Sequence, residues 1–85
     1  MYRVATDDEV NAQVAALPDE LLPYYAQVLD LPELVPWNSR PYSASKPDGV
    51  MRKLLFGPPG RMAEAIFLVL ERDRRVEIVR IVWIH

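Results

Sequence analysis

Nine of the ten basic residues, Arg40, Lys46, Arg52, Lys53, Arg61, Arg72, Arg74, Arg75 and Arg80, lie after residue 36. Five acids oppose them there (Asp48, Glu64, Glu71, Asp73 and Glu77), so residues 37–85 carry a net charge of +4 and can attract a phosphate. Residues 1–36 set seven acids against Arg3, a net of −6, and should repel one. The overall charge of −2 conceals this separation. The plainer reading is that the charges only solvate a small domain's surface. For acid–base work at neutral pH the natural candidate is His85, the only histidine, whose ordinary pKa is near 6.5. It is also the last residue, where chains are usually mobile. There is no cysteine, which removes thiolate zinc sites, cysteine nucleophiles and disulfides together. A lone histidine without cysteine argues against zinc, and no residue set asks for another cofactor.

The elements that would position these residues are legible in the spacing. Thr6 precedes Glu9 by three, a capping box, and Val10, Val14 and Leu17 recur as one face of a helix over residues 7–17. Pro18 ends that helix and can open a second, with Leu21, Tyr25 and Val28 on one face. Pro23 either kinks this second helix or makes residues 18–22 a separate turn, because a proline deep in a helix removes a hydrogen bond. Leu31, Pro32 and Pro36 close the segment, and residues 37–48 read as a loop. Three runs rich in β-branched and aromatic residues follow, at 50–56, 62–71 and 76–84, joined by short turns at 57–60 and 72–75. They predict an antiparallel meander.

The middle run is apolar on both faces, with Ile66, Leu68 and Leu70 on one and Ala65, Phe67 and Val69 on the other, so it should be central. In the last run strict alternation puts Val76, Ile78, Val82 and Ile84 on the face of Arg80, and Val79, Ile81 and Trp83 opposite with Glu77 and His85. Helices can cover one face of this sheet, and the other leaves large apolar side chains for a partner, a second copy or a ligand to cover. Arg52 and Lys53 are adjacent and must point to opposite faces. Arg80, flanked by apolar residues, reads as a buried arginine in need of an acid such as Glu64, or of a phosphate.

Length and composition set the bounds. With 85 residues, 51% hydrophobic and 26% charged, the chain supports one small core and not two, predicting a single domain over 1–85. No apolar run approaches the roughly 20 residues of a membrane span, and no secretory leader is visible, so a cytoplasmic protein is expected.

The order strand, helix, helix, three-stranded meander resembles the RelE/ParE toxin superfamily of toxin–antitoxin systems. The resemblance is carried by YRV at 2–4, a helical hairpin ending at 31–36, GVMRKLLFG at 49–57, AEAIFLVLE at 63–71 and VEIVRIVWI at 76–84. It implies an α+β fold, β-α-α-β-β-β, with two N-terminal helices packed on an antiparallel sheet. It also implies a toxin held inactive by a cognate antitoxin, which would cover the apolar sheet face. In the RelE branch the activity is metal-independent, ribosome-dependent cleavage of mRNA, and in the ParE branch the target is DNA gyrase.

Metal-free RNA cleavage attacks phosphorus with the neighbouring 2′-hydroxyl and needs a base, an acid and cations for the phosphorane charge. That chemistry makes Glu64, Arg80, Arg61, Arg52, Lys53 and His85 the catalytic candidates, with Glu64 a general base of the kind some members of the superfamily use. Trp37, Arg40, Tyr42, Lys46 and Trp83 are candidates for RNA binding, through stacking and phosphate contacts. The chain departs from the superfamily's usual pattern of an arginine and a tyrosine in the central strand and a basic residue or histidine near the end of the last. Here the central strand reads Glu64, Ala65, Ile66, Phe67, and Trp83 stands near the end. These departures keep two alternatives open: a nuclease-inactive toxin-fold protein acting on gyrase or serving as an antitoxin-binding module, and an unrelated α+β binding protein that dimerises through its uncovered face.

Overall fold

The computed structural model describes residues 1–83. The chain begins with strand β1 (Arg3–Ala5) and helix α1 (Asp8–Ala15). Asp7, not Thr6, caps α1: its Oδ1 accepts the Val10 N–H at 2.9 Å, and Thr6 turns instead to Asn11. A short side-chain acceptor one residue closer to the helix simply outcompetes the expected box. A 3₁₀ turn at Asp19–Leu21 then leads into α2 (Leu22–Val28). Pro23 thus falls in the first turn of α2, where its missing N–H costs nothing. Leu29 alone separates α2 from a further helix, α3 (Asp30–Leu34), where Leu31 and Pro32 are expected to close the helical segment. Pro32 occupies the first turn of α3 and is tolerated for the same reason.

After a 3₁₀ turn at Pro36–Asn38, residues expected to be plain loop contain the two-residue strand β2 (Arg40–Pro41). Strands β3 (Met51–Phe56), β4 (Ala63–Leu70) and β5 (Arg75–Trp83) form the expected meander. The sheet order is β1-β5-β4-β3-β2, with β1 parallel to β5 and the other pairs antiparallel. β4 is therefore central, and β3 is flanked on both sides. The β3–β4 turn depends on Gly57 at φ 111°, where an added Cβ would stand 2.7 Å from the Arg61 carbonyl.

The helices cover one face. Val10, Leu17 and Leu21 pack there on Phe56, Ala63, Ala65, Phe67, Val69, Val76, Ile78 and Ile81, and the Tyr25 and Phe56 rings lie 5.7 Å apart. This inner face corrects the alternation expected of β5. Ala65 pairs with Ile81 and Ile66 with Arg80, but Phe67 pairs with Ile78, so β5 carries one extra residue in a bulge. The bulge shifts parity, and Val76, Ile78 and Ile81 all reach the core. Beyond the end of β1 the Ile81 N–H has no strand partner, and Gln13 Oε1 on α1 accepts it at 2.7 Å. The same shift corrects Arg80: it is exposed on the outer face and forms no ion pair with Glu64 among the described residues.

Candidate functional site

The outer sheet face gathers the charges that the sequence scattered. Across four strands, the pairing aligns Arg40 with Lys53, Lys53 with Ile66 and Ile66 with Arg80. Paired residues point to the same side, so three cations form one row running across the strands; at about 4.8 Å per strand it spans roughly 14 Å. The next row joins Leu55, Glu64 and Val82, placing the Glu64 carboxylate diagonal to Lys53 and Arg80. Arg40, Lys53, Leu55 and Glu64 line a cleft of about 350 Å³. Among the described residues, no side-chain hydrogen bond or ion pair engages Arg40, Lys53, Glu64 or Arg80. Around them Met51 and Leu55 are exposed and Leu68, Leu70 and Val82 half-buried, the uncovered apolar face that alternation implied.

The other candidates lie elsewhere. Arg52, next to Lys53, points inward, is 5% exposed, and donates to carbonyl groups of the preceding loop. Arg61 is ion-paired to Glu20 and shares a separate groove of about 330 Å³ with Pro18, Gly60 and Trp83, at the end of the sheet beside the helices. Trp83 is 40% exposed there. Tyr42 and Lys46 line a third cleft, of about 400 Å³, with Val50 and Met51 at the start of β3. The Tyr42 N–H donates to the Met51 carbonyl at 3.0 Å, so this rim continues the β2–β3 pairing. His85 lies outside the described residues.

One charged cluster was not anticipated. The Tyr2 hydroxyl donates to Glu71 Oε1 at 2.5 Å, Trp37 Nε1 donates to the same oxygen at 2.7 Å, and Arg74 donates to Oε2 at 2.8 Å. The Arg74 guanidinium also lies 4.3 Å over the Tyr2 ring, with Arg74 itself in the left-handed region at φ 48°. Donation first from Tyr2, then from Trp37 and Arg74, holds the Glu71 carboxyl down to about 2. The same bond to Glu71 raises the Tyr2 phenol. This cluster ties β1 and the Pro36–Asn38 turn to the β4–β5 connection, and it takes Trp37 away from the outer face. Its partners are up to 72 residues apart, a separation no local spacing signals. For Arg52 a signal existed: it shares its parity with Leu54 and Phe56, which face the core.

Comparison with solved structures meets this geometry. The isolated RelE toxin of E. coli superposes with a TM-score of 0.73 over 100% of this chain and 86% of that one, at 8% identity. The fold is RelE-like. An archaeal RelE–RelB complex from Pyrococcus horikoshii OT3 gives a TM-score of 0.62 over 96% of this chain and 93% of that one, at 18% identity. No protein-family model matches the sequence, and no curated protein matches it. The RelE-like fold thus rests on shape: α1 and α2 on one face, the meander β3–β5 in the middle, and β1 alongside β5.

Proposed function

We propose that this chain is the toxin of a type II toxin–antitoxin system, acting in the cytoplasm as a metal-independent, ribosome-dependent mRNA endoribonuclease. The observation that carries the reading is the row Arg40, Lys53, Arg80 with Glu64 beside it, cationic side chains without partners among the described residues on a RelE-like sheet. In this site Glu64 takes the proton of a 2′-hydroxyl as its oxygen attacks the adjacent phosphorus. The bond from phosphorus to the 5′-oxygen breaks, the Lys53 ammonium protonates that oxygen, and Arg80 holds the charge of the phosphorane. Arg40 binds a flanking phosphate. The solved RelE–RelB complex supports an antitoxin as the partner, and the apolar side chains around the row offer it a surface.

Phe67 supports a second reading. It faces the core at 1% exposure, β4 contains no tyrosine to place a phenolic hydroxyl on the outer face, and the described part of that face holds no histidine. A nuclease-inactive toxin-fold protein that binds gyrase, or binds only an antitoxin, needs neither.

Mapping RNA 5′ ends across the transcriptome before and shortly after induction without antitoxin separates the two. New ends confined to translated regions and phased by codon are expected. Absence of new ends from cells holding soluble protein would transfer the assignment to the second reading.

A further inference from the structure

The segment between α3 and β3 has little regular structure, yet it carries Arg40. One side chain holds both ends of this segment. The five N–H groups of a guanidinium are its whole donor capacity, and those of Arg52 have five acceptors. Nη2 donates to the carbonyls of Ser39 at 2.5 Å and Trp37 at 3.4 Å, at the start of the loop. Nη1 donates to those of Pro47 at 2.9 Å and Gly49 at 3.3 Å, at its end. Nε donates to Ser39 Oγ at 3.4 Å, and that hydroxyl donates onward to the Pro36 carbonyl at 2.6 Å. The Trp37 ring lies 5.4 Å from the guanidinium carbon.

A buried cation without a carboxylate is costly, and here carbonyl dipoles replace its water. Because the guanidinium is planar, the acceptors are fixed in direction as well as distance, which a lysine ammonium cannot reproduce. The Arg52 backbone pairs with Pro41, one residue from the pairing of Arg40 with Lys53.

We infer that Arg52 is a positioning residue for the phosphate-binding row: from the core side of β3 its guanidinium fixes the loop that places Arg40 beside Lys53 on the outer side. This rests on the outer face being the RNA site. RNA then meets Arg40 already in place, without the ordering cost of a loose loop.

Anisotropy of a fluorescein-labelled single-stranded oligouridylate, titrated over a salt series, tests it. Each phosphate-bound cation contributes about 0.7 to the slope of log affinity against log salt. Arg40→Ala is expected to weaken binding about fivefold and flatten the slope by about 0.7. Arg52→Lys, which keeps the charge, should flatten it equally, and the double variant should bind no more weakly than either single one. A wild-type slope for folded Arg52→Lys, or losses that multiply in the double variant, would overturn the inference. If Arg52→Lys does not fold, Ser39→Ala takes its place, since it removes the Nε acceptor and leaves every charge. It should weaken binding about twofold with a flatter slope, and unchanged binding would overturn the inference. Lys53→Ala distinguishes the two levels. Unchanged binding there sinks the outer-face reading, whereas lost binding there with an intact slope in Arg52→Lys sinks only the positioning role.

Discussion

Arg52 and Lys53 are neighbours on one strand, and the sheet treats them in opposite ways. The arginine is enclosed by five acceptors, whereas the lysine, half-buried on the other face, makes no side-chain hydrogen bond to another described residue. The same contrast separates the Glu71 cluster, where Tyr2, Trp37 and Arg74 converge on one carboxylate, from the row of Arg40, Lys53 and Arg80. Charges whose hydrogen bonds are met within the chain hold the structure together. Charges left without such partners among the apolar side chains of the outer face, unlike the Arg75–Glu77 ion pair on that same face, remain available to a ligand, and their removal should cost activity and not stability.

That difference can be broken from either side. The largest effect is expected on activity: Lys53→Ala or Arg80→Ala should reduce cleavage or toxicity by about 100-fold or more, with unfolding midpoints in urea nearly unchanged. If either variant stays fully toxic, the row is not the site. Next comes the inward side: Arg52→Met should lower stability by about 2 kcal/mol in urea, because it leaves several loop carbonyls without donors.

Glu71→Gln sharpens the contrast through pH. A carboxylate held at about 2, against an ordinary 4.5, stabilises the fold fully above about pH 4.5. That contribution is lost as pH falls toward 2, because protonation below the unfolded value is resisted only by the folded state. The difference in thermal midpoint between wild type and Glu71→Gln should be constant from pH 7 to 5 and shrink between pH 4.5 and 2. A difference independent of pH over that range would remove the charge from the explanation. The smallest effect belongs to the exposed Arg61–Glu20 pair, for which Glu20→Gln should change stability by less than about 1 kcal/mol. Arg61→Ala should lower RNA affinity less than Lys53→Ala, since Arg61 stands in a different groove.

The meander is legible because its apolar runs are long, its β3–β4 turn carries Gly57, Pro58, Pro59 and Gly60, and a run of charged residues, 71–75, interrupts the apolar pattern between β4 and β5. A two-residue strand such as β2 has no periodicity to read, and without it the alignment of Arg40 with Lys53 is invisible. α3 stayed hidden because Pro32 looks like a terminator unless its place in a first turn is known. The bulge in β5 defeated strict alternation, so Arg80 was expected inside and stands outside. Of the candidate residues, Lys53, Glu64, Arg80 and Arg40 share one face, and that convergence depends on pairing register across strands far apart in the chain. The Glu71 cluster was beyond reach for the same reason.

The pairing of β1 with β5 also bears on when this protein becomes what it is. Arg3 waits for Arg75 as its strand neighbour, so β1 stays unpaired until β5, 72 residues further along, is in place. Closing so long a stretch of chain is slow compared with local folding. The strand that closes the sheet also supplies Arg80, the last cation of the row. Docking of β5 therefore seals the core and completes the row of Arg40, Lys53 and Arg80 in a single step, so a chain lacking β5 would lose both together.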